Sequence, residues 1–247
     1  MARNTVLTSQ LMNSLYLWIN ALTLLFPLLL SFDQKVAFYK RWKYLFPAIA
    51  ITATFFLLWD EWFTQMQIWG FNAKYITGYY VGHLPIEEVL FFFTVPYASI
   101  FIYEVIKAYV KHSELFEDLH RWFTIFFFGI AITLLYWYSD KLYTAITCII
   151  LSFIMGTHLV VIRRRYMSWF YFAFAVSIIP MLIVNGLLTA KHVVYYDVAQ
   201  QIDLRVGTIP VEDFIYNLTM LSMCIGLYQW FNRLGLRSQL RHQKQSS

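Results

Sequence analysis

The chain of 247 residues is 60% apolar, 20% aromatic and only 13% charged, where an ordinary soluble domain carries about 25% charged residues. Its few charges fall in short clusters between long uncharged stretches, which excludes a soluble globular domain and marks a membrane protein. The net charge of +5 is spread between apolar segments rather than gathered on a polar face, so nucleic acid is set aside as a partner.

In chain order, uncharged runs extend over Thr5–Phe32, Tyr44–Trp59, Val89–Tyr103, Trp122–Ser139, Leu142–Ile162, Tyr166–Ala190 and Phe214–Asn232. With some extension of the short ones, each supplies the roughly 20 residues that carry a helix across about 30 Å of hydrocarbon. Seven spanning helices are therefore predicted. The first run is too long for a signal-peptide core and leads into Ser31-Phe32-Asp33-Gln34 with no small-residue cleavage site, so it reads as a retained helix. Cys148 and Cys224 lie inside apolar runs without CxxC spacing and read as packing residues.

The two halves resemble each other at one gapless spacing, Pro85 to Pro210, or 210 − 85 = 125. The same shift superposes Thr64 on Thr189, Val81-Gly82 on Val206-Gly207, Glu87 on Glu212, Thr94 on Thr219 and Tyr103 on Tyr228, and sets Glu88 against Asp213, Asp60 against Asn185 and Phe91 against Tyr216. Such clustering around two helix starts reads as an internal repeat. The expected fold is an all-α seven-helix transmembrane bundle: a first repeat over 1–110, a connector helix within 111–140, a second repeat over 141–234, and a basic tail over 235–247. One extra crossing makes the repeats parallel, related by a pseudo-two-fold axis along the membrane normal.

Lys and Arg set the orientation. The amino terminus and the loops after helices two, four and six hold Arg3, Lys74, Lys141, Lys191 and Arg205, which leaves 19 − 5 = 14 for the other side, among them Lys40-Arg41 and Arg163-Arg164-Arg165. The basic side is cytoplasmic by the positive-inside rule. The expectation is a multi-pass protein of the cell (inner) membrane, amino terminus outside and carboxyl terminus inside.

Leu84-Pro85-Ile86-Glu87-Glu88 and Ile209-Pro210-Val211-Glu212-Asp213 each open a helix. Proline suits the first helical position and acids suit the first turn, so a single such motif reads equally well as a simple cap. Here, however, both helices place an acid, an aromatic and a threonine on one face: Glu87, Phe91, Thr94 and Glu212, Tyr216, Thr219. Turned to lipid, that face would set a carboxyl against hydrocarbon; turned inward, it lines a cavity. Asp60 and Asn185 end helices two and six at the same level, so Asp60, Glu87, Glu88, Glu212, Asp213 and Asn185 are expected to meet around the axis. Crowded carboxyls in a low dielectric do not all ionise, and one that keeps its proton is a Brønsted acid. Trp59, Trp69 and Phe91 near the motif offer aromatic faces that stabilise a carbocation, although each alone also fits an interfacial aromatic belt.

Other constellations are weaker. His83, His112, His120 and His158 show no metal-ligand spacing, Gly78 and Gly82 form no GxGxxG, and no phosphate-binding loop is present, so neither a metal nor another cofactor is expected. Asn13 and Asn20 fit hydrogen bonds between helices.

The stretch Trp59-Asp60, Ile68-Trp69-Gly70-Phe71-Asn72, Tyr75, Gly78 and Leu84-Pro85-Ile86-Glu87-Glu88-Val89-Leu90-Phe91-Phe92 through Val95-Pro96-Tyr97 resembles the integral-membrane lycopene β-cyclase domain of bacteria, archaea and fungi, in a form with two homologous halves fused. The second half keeps mainly Ile209-Pro210-Val211-Glu212-Asp213. The resemblance implies cyclisation of lycopene through γ-carotene to β-carotene in the lipid bilayer, an isomerisation that needs an acid and a base but no oxidant. By position it implies Glu87 and Glu212 as the inward pair, with Glu88, Asp213 and Asp60 tuning their protonation or taking the final proton. Trp59, Trp69, Phe91, Tyr216, Thr94, Thr219 and Asn185 are the expected substrate-binding residues. Asn185, where the repeat mate of Asp60 has lost its acid, implies halves that are not catalytically equal.

Alternative readings are another membrane terpenoid cyclase or a small three-plus-one-plus-three transporter. None of the six prolines is followed by Gln, so the Pro-Gln signature of small sugar carriers is missing. A retinal protein is rejected because Phe214–Asn232 contains no lysine.

Overall fold

A computed structural model describes residues 14–110, 119–162 and 166–245. Arg3, Asn13, His112 and Arg163-Arg164-Arg165 lie outside them. The protein is an all-α bundle of seven α-helices within the described residues: α1 Leu15–Leu30, α2 Trp42–Gln65, α3 Ile86–Tyr109, α4 His120–Trp137, α5 Leu142–Thr157, α6 Tyr166–Ala190 and α7 Val211–Gln245. Short 3-10 segments cover Phe38–Arg41, Ala73–Tyr75 and Val198–Gln200, and a π turn over His158–Ile162 ends α5.

Four helical segments, Phe38–Gln65, Ile86–Tyr109, Leu142–Val160 and Tyr166–Ala190, are long and apolar enough to cross a membrane, and α1 is a shorter apolar helix. The outward faces agree with this. Phe26 is 64% exposed, Leu58 68% and Phe153 76%, side chains that water would not tolerate in such numbers but lipid does. Pro27, Pro47, Pro96 and Pro180 lie inside helices, as membrane bundles permit where neighbouring helices satisfy the freed carbonyls. Inside, Phe56, Phe63, Phe92, Leu151 and Tyr228 form one continuous core.

The connections after α2 and α6 carry the only strands among the described residues. They are β1 Trp69–Phe71, β2 Tyr80–Val81 and β3 Leu84–Pro85 in the first connection, and β4 Val194–Tyr196, β5 Arg205–Val206 and β6 Ile209–Pro210 in the second. Strands β2–β3 and β5–β6 form local hairpins, while β1 pairs with β4 antiparallel and so ties the two connections together.

Backbone detail recurs between these connections at the spacing of 125 residues. Gln67 and His192 both have positive φ, as do Gly82 and Gly207, and Gly78 and Asp203. The Asn72 amide donates to the Val193 carbonyl at 2.9 Å, and the Asp197 amide donates to the Ile68 carbonyl at 2.8 Å. At the far end of the bundle Tyr228 donates to Glu104 at 2.9 Å and Gln229 donates to the Tyr103 hydroxyl at 2.9 Å. Each pair exchanges a residue for the one 125 positions away. The first helix departs from the single spacing. Tyr16 matches Tyr143 in its contacts, an offset of 143 − 16 = 127, because the connection into the following helix differs in length between the halves.

The halves differ in packing. Helix α2 packs closely on α3, whereas α6 touches α7 at few points. Pro180 stands in α6 where the equivalent position of α2, 180 − 125 = 55, is Phe55. Proline interrupts the helical hydrogen-bond ladder, and Pro180 lines the space beside α7. A cleft lies along that loose seam.

Candidate active site

The two acidic helix starts are built alike. Pro85 caps α3 in an extended conformation and the helix begins at Ile86; Pro210 likewise ends β6 and α7 begins at Val211. The prolines thus precede the first turn rather than occupying it, since each is still paired in its hairpin, Pro85 with Tyr80 and Pro210 with Arg205. Glu87 and Glu212 are completely buried. Oε1 of Glu87 accepts from the Thr77 amide at 2.6 Å, and Oε1 of Glu212 accepts from the Ile202 amide and the Thr144 hydroxyl, both at 2.7 Å. Both are anchored to the connection that precedes their own helix, Glu212 also to α5 through Thr144, and neither lines the cleft.

The next residue in each motif does line it. A helix turns about 100° per residue, so Glu88 and Asp213 face the seam between α3, α6 and α7, where Asp60 at the end of α2 joins them. Oε2 of Glu88 accepts from the Tyr16 hydroxyl at 2.5 Å. Asp213 accepts at both oxygens, Oδ1 from Tyr143 at 2.7 Å and Oδ2 from Tyr196 at 2.8 Å. Burial, reinforced by Asp213, pushes the Tyr196 phenol well above its ordinary pKa, so it remains a donor. Oδ2 of Asp60 is buried without a hydrogen-bond partner.

About 970 Å³ of space lies between the lining side chains, open solvent at the mouth included. From Glu88 at the polar end it follows α3 past Phe92, Val95, Ala98 and Ser99 to Ile102, 102 − 88 = 14 residues or about 21 Å of helix. Its walls are mostly apolar, with the carboxyls and phenols gathered at one end. An elongated apolar molecule fits such a space with its tip among the acids.

Among the other sequence-predicted residues, Phe91, Trp69, Tyr216 and Asn185 line the cleft together with Asp60, Glu88 and Asp213. Trp59 lies behind Tyr216, with ring centroids 4.7 Å apart, and supports it from outside the cleft. The threonines are turned to packing. Thr94 donates to Asn20 at 2.7 Å and Thr219 to its own helix at Ile215. Three phenols at the polar end, Tyr16, Tyr143 and Tyr196, were not singled out by sequence. They come from α1, α5 and β4, and no local spacing ties them to the acids they contact.

His83 bonds Glu61 at 2.6 Å on the loop side, and His158 is buried near the other end of the bundle. Among the described residues no group of three or more His, Cys, Asp or Glu side chains is placed to hold a metal ion.

Comparison with known proteins gives one family. The lycopene cyclase family model matches residues 13–106 and again 140–231, stretches that contain both acidic helix starts and every carboxyl of the cleft. No curated protein and no solved structure matches the sequence. With most of its length matched, and its acids meeting in an apolar cleft within a membrane bundle, the chain belongs to the lycopene cyclase family and is a membrane enzyme of carotenoid biosynthesis.

Proposed function

We propose that the protein is a lycopene β-cyclase that converts lycopene through γ-carotene to β-carotene. The observation that carries this reading is the long apolar cleft with Asp60, Glu88 and Asp213 at one end. A linear polyene lies along the helices and presents its terminal double bonds to the carboxyls. Protonation at C2 leaves a tertiary cation at C1; the C5–C6 double bond closes on it, forming the C1–C6 bond and moving the charge to C5. Loss of the C6 proton restores the C5–C6 double bond. One proton enters and one leaves, so the reaction is an isomerisation of the intramolecular-lyase type and uses an acid and a base but no redox step. Trp69, Phe92 and Tyr216, the last backed by Trp59, supply faces that favour cationic charge.

The recurrence of contacts at 125 residues supports two parallel halves related along the bundle, over 1–110 and 141–234, with α4 as connector. Because the loose seam belongs to α6 and α7 and not to α2 and α3, the two halves share one asymmetric site, and the two ends of a lycopene molecule enter it in turn. The distribution of Lys and Arg supports an inner-membrane orientation with the acidic end toward the outer leaflet.

Expression in a lycopene-accumulating bacterium tests the proposal. The expected pigment is β-carotene, with γ-carotene at short times, and Glu88→Gln or Asp213→Asn lowers both. Unchanged lycopene from wild-type protein present in the membrane would refute the reading. Turnover of a prenylated aromatic epoxide instead would point to another terpenoid cyclase, and uptake of labelled sugar by vesicles to a transporter.

A further inference from the structure

Resting on the cyclase reading above, we infer a division of labour among the three carboxyls of the cleft: Asp60 delivers the proton that starts ring closure, and Asp213 accepts the proton that ends it. The argument is one of hydrogen-bond inventory. A carboxylate is acceptor-only, and a buried one is stable as the anion in proportion to the donors that face it. Asp213 receives two phenolic donors, one at each oxygen, at 2.7 and 2.8 Å. Glu88 receives one, from Tyr16. Asp60 receives none at Oδ2, which is buried, and has beside it, in place of phenols, the Trp69 indole, whose Nε1 makes no hydrogen bond of normal geometry.

Three carboxyls in one apolar cleft do not all ionise. The member with the poorest set of donors holds the proton, and the member with a phenol at each oxygen gives it up first. Asp60 is 3% exposed and Asp213 5%, so water does little to alter that order. The roles follow from the states. Asp60 carries the proton at neutral pH, and the anion it leaves faces the cation just formed, in a low dielectric where that attraction is strong. Asp213, already ionised, takes the C6 proton from the ring cation, a step for which a weak base suffices. The cycle closes when Asp213 gives that proton up to solvent and Asp60 is reloaded from solvent through the exchangeable groups that line the same open-mouthed space, Glu88 and Tyr216; the Tyr216 hydroxyl is itself buried without a partner. The second half carries Asn185 in place of an aspartate, so this assignment supplies a single proton donor to the site.

Membrane vesicles containing the protein, given unlabelled lycopene in D2O buffer, distinguish donor from acceptor. Wild type yields β-carotene with deuterium at C2 of each ring. Asp60→Asn, present in the membrane at wild-type amount, lowers cyclisation by about 10²–10⁴-fold and returns unlabelled lycopene, while Asp60→Glu recovers part of the labelled product. Asp213→Asn still takes up deuterium, but into lycopene or rings other than β, because the cation forms and its proper proton loss is missing. Labelled β-carotene from Asp60→Asn at the wild-type rate overturns the assignment, as does Asp213→Asn returning only unlabelled lycopene. Unlabelled, acyclic lycopene from wild type overturns the cyclase reading itself and is recognised before any variant is compared.

Discussion

Gly70 lies directly opposite Tyr195 at the centre of the β1–β4 ladder, and the tyrosine ring covers the place where a side chain on the glycine would stand. The two positions are also equivalents, 195 − 70 = 125. The neighbours on the two strands, Trp69 and Tyr196, pair with each other and line the cleft, so this close approach fixes two walls of the site. Gly70→Val is expected to displace the half-exposed Tyr195 ring and cost about 1–3 kcal/mol, with Tyr195→Ala relieving most of the loss. A double-mutant cycle on thermal denaturation in detergent measures the coupling. Additive effects would show that the ring moves away freely.

The anchoring of Glu87 and Glu212 leads to a second expectation. Each supplies an acceptor to a backbone N–H ten residues earlier, of Thr77 and Ile202 respectively. Gln keeps an acceptor oxygen there and Ala removes it, leaving a buried amide unpaired at a cost of about 1–3 kcal/mol. Glu87→Ala should therefore speed hydrogen exchange at Thr77, and Glu212→Ala at Ile202, while the Gln variants stay close to wild type. Equal exchange in Ala and Gln variants would show that the connections are held by other contacts.

These anchors show what was legible in the sequence and what was not. The uncharged runs gave the helices because hydrocarbon leaves little latitude in composition, and the paired Pro-Xaa-Glu-acid motifs gave both helix starts. That Asp60, Glu88, Asp213 and Asn185 share one cleft follows from helix ends at one level. Which of two adjacent acids turns inward does not follow, since α3 and α7 are apolar around much of their circumference and carry no stripe to set the rotation. The phenols of Tyr16 and Tyr143 were hidden for another reason. They reach the acids from α1 and α5, 72 and 70 residues away in sequence, and their own offset of 127 departs from the one spacing that revealed the other equivalents.

At the opposite end of the bundle, Glu104 is 3% exposed and gathers Tyr228 at 2.9 Å, Arg41 at 3.1 Å and Lys107 at 3.6 Å. It joins α3 to α7 and to the segment before α2. The Arg41 side chain is partly exposed, so screening reduces the ionic share, whereas the buried Tyr228 hydroxyl depends on its acceptor. Glu104→Ala is expected to destabilise the protein by about 1–3 kcal/mol, and Glu104→Gln by less because an acceptor remains. Cyclase activity per folded molecule should be little changed, since Glu104 lies 104 − 88 = 16 residues, about 24 Å along α3, from Glu88. Thermal aggregation in detergent and pigment yield normalised to folded protein check both parts. A loss of specific activity without a loss of stability would contradict this assignment of Glu104 to structure.

The apolar length of the cleft carries the last prediction. Ala98 and Ser99 line it 98 − 88 = 10 and 99 − 88 = 11 residues beyond Glu88, about 15 Å from the acids along the helix. Both side chains are small and only partly buried, so a larger residue projects into the cleft without being forced into the core. If a polyene runs along α3 as proposed, Ala98→Phe or Ser99→Phe removes room from its shaft while leaving every carboxyl and its phenol donors in place. An overpacking penalty of about 1–3 kcal/mol falling on the bound state corresponds to a fall in kcat/KM of on the order of 5–150-fold. The loss should be smaller for a shortened acyclic substrate whose chain ends before these positions. Kinetics in vesicles with lycopene and with such a truncated polyene measure the difference. Equal losses on both substrates would show that the chain takes another route from the acids to the membrane.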